Sequence, residues 1–138
     1  MMLRLADVLI LCGAAIVASC SNRQLQETRS PKVQKQLAEA LAGRTPGPPV
    51  RCIRNYQSNQ MQVIDDWTIL FRDGRTIYVQ NPRGGCPGLG SGSRALVTRQ
   101  VVTNDLCDND FNAMVDLVSK SPGGVCIFGP FVPYTKPH

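Results

Sequence analysis

Histidine is nearly missing from this chain: His138 is the only one, and it is the last residue. That leaves nucleophilic triads without a placed base and zinc sites without an imidazole ligand. No C-x-x-C pair occurs, so the usual redox dithiol and zinc-ribbon spacings are absent. Aromatic residues make up 6% of the chain, with a single tryptophan, and no dense basic face alternates with them. Nucleic-acid recognition ordinarily needs such a face. The Gly-rich stretch at 84–92 lacks the Gly-Lys-Ser/Thr that holds phosphates. Nor is there an apolar run of the ~20 residues a helix needs to cross a bilayer.

The longest apolar run, residues 8–17 (VLILCGAAIV), follows Arg4 and leads into Val17-Ala18-Ser19-Cys20. A positive start, a short apolar centre and small residues at the end are the three parts of a secretory signal. The four-residue ending resembles the bacterial lipobox, in which a cysteine thiol accepts diacylglycerol and the peptidase cuts just before it. The expectation is a signal peptide over residues 1–19 and lipidation at Cys20, giving a lipoprotein of the cell envelope that faces the periplasm. Ser21, in place of aspartate, points to the outer membrane. Ordinary cleavage with a plain Cys20, or an uncleaved leader, are the alternatives.

The formal charge of +5 is unevenly placed. Residues 21–50 hold five basic and two acidic residues, a net of +3, and residues 51–138 hold nine and seven, a net of +2. A basic arm suits an anionic lipid surface, and it also serves as a solvated linker. Within it, residues 21–30 (SNRQLQETRS) are polar and aperiodic. Ser30, Pro31 and Gly43 then bracket a helix in which Val33, Leu37, Ala40 and Leu41 share one face. Such a helix packs on the domain or lies near the membrane. The Pro/Gly run at 45–49 reads as a stiff extended joint, so residues 20–49 are expected to form a tether with a short helix and residues 50–138 a small β-rich domain.

From Val50 onward, short runs of β-formers alternate with turns. Strands are expected at 50–55, 61–64, 67–72, 75–80, 94–103, 111–118 and 125–128, with a short helix as the rival at 111–118. Asp73-Gly74 between two β-rich runs predicts a type I′ hairpin turn, placing Arg72 opposite Arg75 and Ile69 opposite Tyr78. Trp67, Ile69, Phe71 and Tyr78 then share one face, and Leu70, Ile77 and Val79 the other. The residues after Gly129 are extended by their prolines. The fold class expected is mainly β: a small antiparallel barrel or sandwich of about six strands with one N-terminal helix and a cleaved signal segment.

With Cys12 in the leader and Cys20 lipidated, Cys52, Cys86, Cys107 and Cys126 remain. Four thiols in an oxidising compartment form two disulfides in one of three pairings. Cys86–Cys107 and Cys52–Cys126 are the favoured pairs, the first tying the Gly-rich loop to the next strand and the second closing the sheet. Asp65-Asp66 is the most enzyme-like feature, since paired carboxylates can share a proton. On extended chain they point apart, one capping backbone and the other facing water. Asp105, Asp108, Asp110 and Asp116 surround Cys107 but do not match the spacing of a calcium loop. Trp67, Phe71, Tyr78, Phe128, Phe131 and Tyr134 form either a core or the lining of a ligand groove.

Several segments resemble, in order and spacing, a family of small exported proteins of sphingomonads and related proteobacteria known only as a domain of unknown function. They are Leu41-Ala-Gly-Arg44, Pro49-Val-Arg-Cys-Ile53, Ile64-Asp-Asp-Trp67, Thr76-Ile-Tyr-Val79, Cys86-Pro-Gly-Leu89, Leu106-Cys107 with Asp110, and Gly129-Pro-Phe-Val-Pro-Tyr134. The resemblance implies an exported, often lipid-anchored domain and no activity, substrate or catalytic residue. Taken together, these features lead to the expectation of a non-enzymatic binding or structural module. It would have no cofactor, metal or catalytic residue, and would bind the membrane through its N-terminal lipid and an envelope protein, but no nucleic acid. The alternatives are a small-ligand carrier in a barrel mouth and a thiol or carboxylate enzyme.

Overall fold

The computed structural model describes residues 29–54, 60–99 and 103–138. The leader, Cys20 and the polar segment up to residue 28 lie outside the described residues. From Pro31 to His138 the chain forms one compact unit. It holds both disulfides and every described core residue, so it carries its own core.

The chain is mainly β, with ten strands in three antiparallel sheets and one helix among the described residues. Helix α1 is Pro31–Leu41. It opens on proline, whose missing amide costs nothing at that position, and ends before Gly43 at φ +70°. The amide of Arg44 donates to Leu41 O (3.1 Å) and its guanidinium to Ala40 O (3.3 Å), closing the exposed carbonyls. Strands β1 (Thr45–Pro46), β10 (Phe131–Thr135), β5 (Thr76–Gln80), β4 (Thr68–Asp73) and β3 (Met61–Asp65) form a five-stranded sheet in that spatial order. Strands β2 (Cys52–Arg54) and β7 (Asp105–Cys107) pair as a ribbon, and β6 (Arg94–Val97), β8 (Phe111–Asp116) and β9 (Pro122–Ile127) make a three-stranded sheet.

Among the described residues the architecture is sandwich-like, with no closed barrel. One face of the five-stranded sheet carries Leu70, Ile77 and Val79, which with Ile64 pack against Val33, Leu37, Ala40 and Leu41 of α1. The helix stripe therefore docks on the domain. The opposite face carries Ile69 and Phe71, which meet Ile53 and Leu106 of the ribbon and Met114 and Cys126 of the three-stranded sheet. Phe71, Phe128 and Phe131 fill the centre with edge-to-face contacts at 5.8–6.0 Å between centroids. Gln80 lies buried beside them and clamps one peptide in both directions, accepting from Gly129 N (2.7 Å) and donating to Gly129 O (2.8 Å). A Cβ at Gly129 would sit 2.7 Å from Asn81 O, so glycine allows this approach.

The hairpin differs from its expected register. Asp73 is the last residue of β4 and pairs with Thr76, leaving Gly74 and Arg75 as the two-residue loop. Gly74 takes φ +55° while Arg75 keeps a negative φ, the pattern of a type II′ turn, which asks for glycine only at its first central position. Type I′ would have forced positive φ on Asp73. Arg72 consequently faces Ile77 and donates to Gln62 Oε1 (2.8 Å), and Phe71 rather than Ile69 faces Tyr78. The slip preserves strand parity, so the two expected faces survive.

Residues 111–116 are a strand, not a helix. Three strands were not expected from the sequence: β1, β7 and β10. The proline-containing end pairs along β5 as a full strand, Pro133 lying opposite Tyr78, and Thr45–Pro46 adds to its free edge. Prolines that break a central ladder are tolerated at such edges.

The core assignment is tested by comparing two phenylalanines. Phe131 is fully buried, so Phe131→Ala is expected to lower unfolding free energy by ~3–5 kcal/mol in urea titrations of the oxidised protein. Phe111 is 72% exposed, and Phe111→Ala should stay within ~0.5 kcal/mol of wild type.

Candidate interaction surface

All four cysteines of the domain are disulfide-bonded, but not in the favoured pairs: Cys52 joins Cys107 and Cys86 joins Cys126. The register explains the first. Cys52 and Cys107 lie directly opposite in the β2–β7 ribbon, with Cα atoms 4.1 Å apart, and Asp108 N donates to Arg51 O (2.7 Å) beside them. That is the non-hydrogen-bonded kind of antiparallel site, where side chains come closest. The second follows from the path of the Gly-rich loop. Arg83 N donates to Ile127 O (2.8 Å), so the loop runs along β9 and delivers Cys86 to Cys126, both fully buried.

Asp65 and Asp66 both serve backbone amides. Asp65 Oδ1 accepts from Trp67 N (2.9 Å), an Asx-type turn. Asp66 is half-buried and bound to backbone as well: its Oδ1 accepts from Gly90 N (2.7 Å) and its Oδ2 from Gly88 N (3.2 Å), while Asp66 O accepts from Cys86 N (2.7 Å). The loop of residues 84–92 is thus wrapped on one carboxylate. A Cβ at Gly90 would lie 2.8 Å from the Asp65–Asp66 backbone, which makes glycine necessary there.

The acidic cluster is likewise divided among local tasks. Asp108 Oδ1 accepts from Arg83 (2.8 Å), and Asp110 Oδ2 from Cys107 N (2.6 Å). Asp116 Oδ1 gathers Ser119 N (2.8 Å), Val118 N (2.9 Å) and Ser119 Oγ (3.1 Å). The Ser119 and Val118 amides, then the Ser119 hydroxyl and Arg94, hold its carboxyl below its ordinary value of 3.8. Among the described residues no group of three His, Cys, Asp or Glu side chains converges as a metal site would require. The six aromatics line no common groove. Phe71, Phe128 and Phe131 are core, Tyr78 and Tyr134 pack on opposite faces of the five-stranded sheet, and Trp67 covers Gly85.

What sequence reading missed is the outer face of the three-stranded sheet. Asn112 and Met114 of β8 point inward, leaving Phe111, Ala113 and Val115 outside. Cross-strand partners extend this into three rows: Phe111 with Ile127 and Arg83, Val97 with Ala113 and Val125, and Ala95 with Val115 and Pro122. Every sheet-strand position in these rows is apolar. Phe111, Val97, Val125 and the Leu117–Val118 tip are all exposed, Val118 by 91%. Contiguous exposed apolar surface of this kind marks a contact site more often than chance. The alternation of residues 111–118 signalled the strand; nothing in it said which side faced out.

No family model, no curated protein and no solved structure matches the chain.

Because Asp116 pins the tip that carries Val118, its titration should be visible there. Its folded pKa is depressed, so its stabilisation of the turn is present above 3.8 and is lost as pH falls through the lower folded value. An NMR titration should show the Ser119 amide shifting below pH 3.8, and Asp116→Asn should abolish that shift. An unchanged Ser119 profile in the variant would contradict the assignment.

Proposed function

We propose that this protein is a lipid-anchored module of the bacterial cell envelope, held at the periplasmic side of the outer membrane through Cys20, and that it works by binding or scaffolding without catalysis. The observation that carries the reading is the complete consumption of the domain's cysteines in two disulfides. Such bonds persist in oxidising compartments and are rare in the cytosol. Loops of 55 and 40 residues, so closed, stabilise a small domain by about 4 kcal/mol each in the chain-entropy model. A short apolar leader ending at Cys20 supplies the route out, and the resemblance to the exported sphingomonad family points the same way.

The non-catalytic part rests on how the reactive groups are used. The carboxylates of Asp65, Asp66, Asp110 and Asp116 accept from neighbouring backbone amides, and Asp108 pairs with Arg83. A ligand carrier would need an open interior between the sheets, and that space is occupied by three phenylalanines in mutual contact.

Intact mass of the protein extracted from membranes tests the reading. The expected species begins at Cys20, carries the added mass of acyl chains, and gains 4 Da on reduction as two disulfides open. An unmodified chain retaining residues 1–19, recovered from the cytoplasm, would refute it.

A further inference from the structure

We infer that the outer face of the β6–β8–β9 sheet, with the Leu117–Val118 tip, docks on the anionic lipid surface to which the chain is anchored. This rests on the anchored reading above. The face is uniformly apolar, and its border is basic. Arg83 ends the row of Phe111 and Ile127, exposed Arg99 follows Val97 by two residues, and exposed Lys120 follows Val118 at the tip. Arg83 is paired with Asp108, and Asp116 accepts from the tip's amides and lies opposite Arg94, so Arg99 and Lys120 supply the border's positive charge. Apolar side chains with cations beside them match the acyl and phosphate layers of a bilayer, where a basic side chain reaches the headgroups while its neighbours enter the boundary.

Tether length favours the bilayer over a distant partner. Ten residues, 21–30, separate Cys20 from α1. Ten residues reach at most ~35 Å. A domain so held meets the membrane at high effective concentration, and a modest apolar face is then sufficient for docking. The basic residues of the arm, Arg23, Arg29, Lys32 and Lys35, add to the same attraction.

The experiment removes the lipid, so that its failure is separable from failure of the anchored reading. Residues 20–138 bearing Cys20→Ser, made under oxidising conditions, are mixed with vesicles of phosphatidylcholine and phosphatidylglycerol at 3:1 (an approximate ratio, roughly that of an anionic leaflet). Binding is expected, stronger than to phosphatidylcholine alone and weakened by salt. The triple variant Phe111→Ser, Val118→Ser, Val125→Ser should bind at least about tenfold more weakly, its fold checked by an unchanged thermal midpoint. A second measurement does not depend on a loss. In Trp67→Phe with Phe111→Trp, the reporter at 111 should shift its emission to the blue on adding vesicles and be quenched by brominated lipid. No binding by the parent, equal binding by the triple variant, or a reporter that stays water-exposed would each overturn the inference. So would a concentration-dependent dimer abolished by Phe111→Ser, which would assign the face to a second copy.

Discussion

The burial of the Cys86–Cys126 disulfide is the constraint from which the arrangement of the domain follows. Cys126 can reach Cys86 only from the inner side of β9. Its cross-strand partner Asn112 must then also face inward, since residues opposite each other in a sheet share a face. Alternation sends Phe111 and Ala113 to the outside. A polar residue in the core is the consequence, and its cost is limited by hydrogen bonds from Asn112 Nδ2 to Asp110 O (3.2 Å) and Cys126 O (3.4 Å). The exposed apolar face and the buried asparagine are two results of one covalent link.

The same link explains the emphasis on the Gly-rich loop. A loop of residues 84–92 has little apolar surface with which to hold itself in place. Asp66 supplies two acceptor oxygens and a carbonyl, and the disulfide fixes the first part of the loop to the sheet. Leu89 is drawn into the core beside Cys86. The carboxylate pair that looks most like acid–base machinery in the sequence is thereby spent on architecture.

How much of this was legible depends on whether the signal was local. The helix was, because proline, glycine and a four-residue apolar stripe act within one segment. The two faces of the β4–β5 hairpin were too, because parity survives a shifted turn. The turn itself was misread, since Asp-Gly and Gly-Arg are both acceptable loops and the choice falls to strand pairing. Disulfide pairing depends on which strands are neighbours in space, and no spacing of Cys52, Cys86, Cys107 and Cys126 records that β2 pairs β7. The orientation of β8 was equally hidden, for a strand with Phe, Ala and Val on one side and Asn and Met on the other would by hydropathy bury the first set. Tertiary constraint outweighed local preference there, and the outer face was missed with it.

Disulfide mapping tests this account most directly. Trypsin, without reduction, places each cysteine in a different peptide: residues 52–54, 84–94, 100–120 and 121–138. The account predicts that 84–94 is linked to 121–138, and 52–54 to 100–120. A link between 84–94 and 100–120 would contradict it, since Cys126 would then no longer require the inward face of β9 and the orientation of the whole three-stranded sheet would lose its cause.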